Sequence, residues 1–285
     1  MTDAEMARAE QQALWNGVAG RAWVDEQMLL DRLFAPFAAL LADAAREVRG
    51  GRVLDVGCGT GATTLAIAEA LGPGGECVGA DISRPMIESA HVRAGRAGVP
   101  ARFIHADVES HDFAPASFDL VTSRFGVMFF GDPVRAFANL RGAVREGGGL
   151  VLLAWRGRSE NGFMTAAESA AAPLLAPQPP RDPGAPGQFA FADPDRVRAI
   201  LAAAGWAGVE IDPIDVDCTM SEADLDDYAV RLGTLARILP TLDDGLQARV
   251  VTAVRLGFDP YRRDGLVRFT AACWVIRVRP ARPTG

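Results

Sequence analysis

The spacing of apolar positions changes along the chain, and each change marks a stretch of different structure. Between residues 4 and 47, Trp15, Val18, Trp23, Met28, Leu29, Leu33, Phe37, Leu40 and Leu41 recur at helical spacing, with interruptions near Asn16-Gly17 and at Gly20. From residue 52 onward, short apolar runs alternate with helical segments. The pattern predicts strands at 52–56, 76–81, 101–106, 118–123 and 149–155, and helices at 61–71, 84–97 and 133–145. Such alternation predicts an α/β protein with a doubly wound, mostly parallel sheet. The punctuation agrees: Gly72-Pro73-Gly74-Gly75 stops the first helix of this stretch, Ser83-Arg84-Pro85 opens the next, and Gly147-Gly148-Gly149 ends the helix before the fifth strand.

Beyond residue 156 the pattern loosens. Pro173, Pro177, Pro179, Pro180, Pro183 and Pro186 exclude a single helix there. A helix at 194–204 ends at Gly205, 209–216 alternates as a strand, 221–257 is helical again, and 271–279 reads as a last strand, the seventh. The organisation expected is an N-terminal helical cap over 1–48, a ligand-binding core over 49–156 and a Pro-rich insertion or lid over 157–192. Residues 193–285 complete the core and carry a helical insertion at 217–268.

Composition narrows the function classes. The 285 residues are 49% hydrophobic, ample for a core, and carry a net charge of −7 without any basic block, which argues against nucleic acid or an anionic membrane surface as partner. All 29 basic residues are arginine, which we read as coding bias. Cys58, Cys77, Cys218 and Cys273 form no CxxC pair and no metal-ligand spacing, so no metal is expected. No run reaches the roughly 18 apolar residues of a membrane span, and no secretory leader is apparent, so a reduced, cytoplasmic setting is expected.

The chemistry concentrates in Arg52-Val-Leu-Asp-Val-Gly-Cys-Gly-Thr-Gly-Ala62, where an apolar strand runs through Asp55 into alternating glycines. Without Cβ atoms at Gly57, Gly59 and Gly61 the backbone turns tightly and lies against a ligand, and the following helix presents its amide end. The loop alone leaves the nucleotide cofactor open, because Gly57-x-Gly59-x-x-Ala62 also satisfies the dinucleotide fingerprint and an acid follows about 20 residues on. Asp55, two residues before Gly57, favours a cationic ligand over a pyrophosphate.

Five segments in order carry a resemblance: Val53-Leu-Asp-Val-Gly-Cys-Gly-Thr-Gly61, Val78-Gly-Ala-Asp-Ile-Ser83, Phe103-Ile-His-Ala-Asp-Val108, Ser117-Phe-Asp-Leu-Val121 and Arg145-Glu-Gly-Gly-Gly-Leu150. Over residues 50–156 the chain resembles the class I S-adenosylmethionine-dependent methyltransferases. The resemblance implies their Rossmann-like fold, S-adenosylmethionine as cofactor, and a set of roles. Gly57, Cys58, Gly59, Thr60 and Gly61 would pass under the methionine and ribose, with Asp55 near the ammonium. Asp81 would accept from the ribose hydroxyls, with Ile82 and Met86 against the adenine. Asp107 and the backbone of Val108 would read the adenine edge, and Ser123, Arg124 and Phe125 would face the sulfonium and the acceptor. Trp15 and Trp23 are expected in a lid over the cofactor.

Acceptor contacts are expected from Met128, Phe129, Phe163, Tyr228 and Arg231, with Phe130, Met164, Leu232, Leu235, Ile238, Phe258 and Tyr261 nearby. No catalytic residue is assigned; methyl transfer is an in-line displacement that alignment accelerates, and of the three histidines only His111 is a base candidate. The insertions at 157–190 and 217–268 point to a small-molecule acceptor, and oxygen is expected as the acceptor atom only because it is the most frequent one, with carbon and nitrogen open. The absence of an Asn/Asp-Pro-Pro-Tyr type motif after the fourth strand disfavours amino-group methylation of DNA or protein amides. A noncatalytic adenosylmethionine- or adenosylhomocysteine-binding protein and an NAD(P)-dependent oxidoreductase are the other classes weighed, and a homodimer is left open.

Overall fold

The computed structural model describes residues 2–177, 182, 184–233 and 235–278. The N-terminal stretch forms four helices, α1 (Asp3–Asn16), α2 (Val18–Asp25), α3 (Gln27–Leu33) and α4 (Ala35–Ala45). Thr2 and Glu5 cap α1 reciprocally. The break at Gly17 is where the sequence predicts it, but Gly20 lies inside α2. Its hydrogen is needed for packing: a Cβ there would come 2.8 Å from Ser83 Oγ and still closer to the Trp15 carbonyl.

The core follows as β1 (Arg52–Val56), α5 (Ala62–Leu71), β2 (Glu76–Asp81), α6 (Arg84–Ala97), β3 (Ala101–His105), β4 (Phe118–Arg124), α7 (Pro133–Ala143) and β5 (Val144–Trp155). Buried apolar strand residues such as Val53, Leu54, Val121 and Leu152 form one contiguous core with Leu33, Phe37 and Leu41 of the cap. The C-terminal third contributes α8 (Gly162–Ala171), α9 (Pro194–Ala203), β6 (Val209–Ser221), α10 (Leu235–Ile238), α11 (Asp244–Gly257), β7 (Arg262–Arg263) and β8 (Leu266–Val278). The strand order is β3-β2-β1-β4-β5-β8-β6; β8 runs antiparallel to both neighbours and β7 pairs back on it. The seven principal strands are those predicted, with the two-residue β7 added, and no described helix is long and apolar enough to cross a membrane.

The chain winds outward from β1 through β2 to β3, then returns to place β4 on the other side of β1. The crevice between the ends of β1 and β4 is therefore the topological switch point, where sheets of this kind bind ligands.

Several boundaries differ from the sequence-based expectation. The helix expected to 145 ends at Ala143, and Gly147-Gly148-Gly149 lie within β5 instead of stopping a helix. They accommodate a register shift against β4: a Cβ on Gly148 would meet the Asp119 carbonyl at 2.9 Å. The strand expected to end at 216 runs to Ser221, because Cys218 and Met220 keep the alternation and pair along β8, which itself starts at Leu266 and not at 271. The ends of the expected 217–268 insertion thus belong to strands. The single helical stretch expected from 221 to 257 is instead a 3₁₀ turn, a π-helical turn at Asp227–Arg231, the short α10 and then α11, interrupted at Gly233 and Pro240. Within the Pro-rich segment, Pro173 falls in a 3₁₀ turn after α8; Pro179, Pro180 and Pro183, like Arg279, lie outside the described residues.

Candidate active site

The glycine loop at the end of β1 is built by close approach. Gly57 and Gly59 both adopt positive φ (+66° and +56°), and a Cβ on Gly57 would lie 2.7 Å from the Cα of Gly126 in the loop after β4. Ser123 locks that second loop by donating from its hydroxyl to the Val56 carbonyl (2.7 Å) and accepting from the Gly126 amide (3.2 Å). Between them Phe125 holds φ +64°, a conformation that costs a bulky side chain energy. Its ring stacks on Trp155, 4.1 Å between centroids, and packing over-determines the strained backbone.

Two buried acids support the loop differently. Asp55 accepts from the hydroxyls of Thr64 (2.7 Å) and Thr122 (3.3 Å), and burial pushes its pKa up to about 6 despite those bonds. Its carboxylate faces the sheet and α5 and does not line the crevice, so the expected position beside a ligand ammonium is not what the structure has. Asp81, at the end of β2, does line it. Its two oxygens accept from the amides of Gly59 and Ser83, both at 2.8 Å, and burial raises its pKa against those bonds. Each oxygen keeps a further lone pair for a ligand hydroxyl.

The cap docks onto the same loops. Ser83, at the N-cap of α6, spends its hydroxyl on the Trp15 carbonyl (2.7 Å), and Asn16 takes over the capping by accepting from the Arg84 amide (2.9 Å) while donating to the Ile82 carbonyl (2.9 Å). From α1, Arg8 donates to one oxygen of Asp107, whose other oxygen accepts from the Glu109 amide (3.0 Å). Glu26, at the α2/α3 junction, pairs with Arg231 of the π-helical turn, and Arg32 of α3 pairs with Asp224 of the 3₁₀ turn before it, joining the cap to this segment.

These elements enclose a cavity of about 970 Å³. Of the residues named from sequence, Gly57, Cys58, Gly59, Asp81, Ile82, Met86, Asp107, Val108, Arg124, Phe125, Trp15 and Trp23 line it, as do Met128, Phe129, Phe163, Tyr228 and Arg231. Thr60, Gly61 and Ser123 stand behind the wall with Asp55, as supports, and Ile238 and Tyr261 lie off it. Arg231 is committed to Glu26. His111 does not line the cavity; its ring packs on Phe113 at 4.6 Å, which removes it as a base there, and neither His91 nor His105 lines it. Tyr228 is no base either, since burial pushes its phenol well above the ordinary value.

Sequence reasoning missed Arg8, Gln11, Phe34, Glu109 and Arg158, which also line the cavity. No local motif marks them, because each reaches the site through the packing of a separate element. The aromatic pairs in Trp15, Trp23, Phe34 and Phe129, edge-on or stacked at 5.0–6.4 Å, form an apolar wall of the cap side.

A glycine cradle at the switch point, with an acid at the end of the next strand, defines a nucleotide-cofactor-binding α/β domain. The comparison with known families then specifies it: residues 53–148 match the family described as methyltransferase domain. The core therefore carries a methyltransferase domain, and its likeness to methyltransferases supports S-adenosylmethionine as the cofactor. Similar curated proteins include the demethylmenaquinone methyltransferase of Thermus thermophilus, 38% identical over 44% of this chain and 59% of that protein. Aklanonic acid methyltransferase DauC of a Streptomyces species is also 38% identical, over 40% and 53%. The chain thus spans little more than half the length of these relatives. Among solved structures, the [4+2]-cyclase SpnF superposes with TM-score 0.55 at 21% identity over 99% of this chain and 97% of its own, and YcgJ of Bacillus subtilis with 0.54 at 21% over 86% and 98%. At those identities the likeness concerns the fold alone.

The residues fit the cofactor. The Gly57/Gly126 approach leaves backbone, with no side chain, where an extended ligand must pass, and the free lone pairs of Asp81 suit a ribose diol.

Proposed function

We propose that this protein transfers a methyl group from S-adenosylmethionine to a small, largely apolar acceptor, at oxygen. The observation that carries the reading is one continuous cavity that begins on the glycine cradle and continues between aromatic walls of the cap and of the segment around Phe163, Phe189 and Tyr228. At about 970 Å³ it lies at the upper end of the ~300–1,000 Å³ of small-molecule sites, room for a cofactor and an acceptor together. Both named relatives have a small organic compound in their names, which supports an acceptor of that kind.

The cofactor supplies an activated methyl group on a positively charged sulfur. The chain's contribution is orientation. Asp81 and the Gly57–Gly59 backbone hold one reactant, the aromatic wall holds the other, and the cap with its ion pairs to 224–231 keeps water out. Alignment of this sort supplies about 7–11 kcal/mol in favourable cases, and no histidine among the described residues lines the cavity.

Calorimetric titration with S-adenosylmethionine, adenosylhomocysteine, NADH and NADPH tests the cofactor, followed by methylation assays on phenolic, enolic and carboxylic acceptors. Micromolar binding of the first two alone is expected. Asp81→Ala should lose about 1.5–3 kcal/mol of that affinity, the range for hydrogen bonds to a charged group, and unchanged binding would refute the ribose role. Tight cofactor binding with no acceptor methylated would favour a binding protein, and binding of a nicotinamide an oxidoreductase.

A further inference from the structure

Five arginines line the cavity: Arg8, Arg124, Arg158, Arg231 and Arg237. Three have carboxylate partners, Arg8 with Asp107, Arg158 with Glu168 and Arg231 with Glu26, and Arg237 is exposed. Arg124 differs from all of them. It is part-buried, and among the described residues it has no ion pair; its hydrogen bond is a long one, 3.5 Å, to the Phe34 carbonyl, with the guanidinium 5.4 Å from the centre of the Phe34 ring.

The acids around Arg124 are already engaged. Asp55 of β1 accepts from two threonine hydroxyls, and Asp31 of α3 is held by both terminal nitrogens of Arg93, at 2.7 and 3.4 Å. Burial lowers the Arg124 pKa, Asp55 and Asp31 act against that, and Arg93 reinforces it. A guanidinium has five N–H donors, and here most of them have no protein acceptor among the described residues. Leaving a desolvated charge unmatched is costly, so the arrangement calls for an anionic partner from outside the chain.

The surroundings say what kind of partner. Arg124 sits at the end of β4, next to the strained Phe125, whose ring is stacked on Trp155, and beneath Phe34. These walls suit a flat apolar body, and the rigid fork of an arginine suits an oxygen pair or one concentrated negative charge on it. Building on the methyltransferase reading, we infer that Arg124 is the specificity-determining residue of the acceptor site and selects apolar, aromatic-sized acceptors that carry an ionised oxygen, a carboxylate or a ring enolate or phenolate. An acceptor held as its anion needs no general base, which accords with a cavity that no histidine lines.

The same chemistry exists on the cofactor, whose methionine end bears a carboxylate, so the test separates the two sources. 2-Naphthoate and its neutral amide are titrated calorimetrically into the full chain, with adenosylhomocysteine in excess, for wild type, Arg124→Met and Arg124→Lys. Adenosylhomocysteine is titrated separately into each. Wild type should prefer the naphthoate by about tenfold or more, the range of a charged hydrogen-bonded contact. Arg124→Met should lose that preference, Arg124→Lys should keep part of it, and amide affinity, adenosylhomocysteine affinity and melting temperature should be unchanged. Equal affinity of wild type for the two probes would overturn the inference. So would a variant that keeps the preference but loses adenosylhomocysteine, which would assign Arg124 to the cofactor's carboxylate. If the preference depends on Arg124 while no protein binds adenosylhomocysteine, the anion site stands and the methyltransferase reading fails.

Discussion

Asp55 shows how one buried residue couples cofactor-loop architecture to pH. It is 1% exposed, its pKa is raised to about 6 by burial, and its partners are the neutral hydroxyls of Thr64 and Thr122. In the unfolded chain the group titrates near ~3.9. Between those values the folded protein binds the proton more strongly, so stability contributed by neutral Asp55 is full at low pH and is lost as pH rises through about 6. The loss is on the order of 3 kcal/mol. Asp81, also raised, acts with the same sign. Denaturant unfolding measured from pH 4 to 7 should therefore show a shallower decline in Asp55→Asn than in wild type. Parallel curves would mean that Asp55 ionises freely in the folded state.

At the scale of elements, the site depends on loops that touch backbone to backbone. Gly126 has an ordinary φ of −75°, so its need for glycine is purely one of space: a Cβ would stand 2.8 Å from both the Gly57 Cα and the Val56 carbonyl. Gly126→Ala should cost about 1–3 kcal/mol, as overpacking does, and should weaken cofactor binding beyond that of a surface control. Urea unfolding and calorimetry on the same sample check both parts; a variant as stable as wild type would show that the β1 and β4 loops separate without penalty. The π-helical turn at Asp227–Arg231 is a second site-forming irregularity, since it carries Tyr228 and Arg231 to the cavity while Arg231 reaches Glu26 of the cap.

Across the whole molecule, the cap and the C-terminal segments meet over the core's crevice. The largely exposed pair of Arg32 with Asp224 adds little stability, about 0–1 kcal/mol, whereas Arg231 reaches the buried carboxylate of Glu26. The cap's attachment rests more on Phe34, Phe37 and Leu41 in the shared core and on the Asn16 and Ser83 hydrogen bonds. Trp15 and Trp23 face the cavity edge-on to each other at 6.0 Å. Tryptophan emission should shift when adenosylhomocysteine saturates the protein, and Trp15→Phe should remove much of the change. An emission spectrum indifferent to ligand would leave these side chains as packing of the cap.

The order of strands and helices, the glycine cradle and Asp81 were legible in the sequence, because local rules govern them: period, turn chemistry and the need for backbone at positive φ. The extents of β6 and β8 were not, since their ends are held by cross-strand pairing between residues about 50 apart, such as Cys218 with Phe269. Nor was the broken helical stretch after Ser221, where tertiary packing overrode helical spacing. Asp55 and His111 were recognised by type but do not line the cavity, and Arg231 lines it already paired with Glu26, because sequence does not say which way a strand-end or loop side chain is turned or what has already paired with it. Only the tertiary structure brought Arg8 to Asp107, Glu26 to Arg231 and the Phe34 carbonyl to Arg124. Chain order thus determined the scaffold and the cofactor cradle, while the cavity's charge and shape arose from segments that meet only when the sheet has formed.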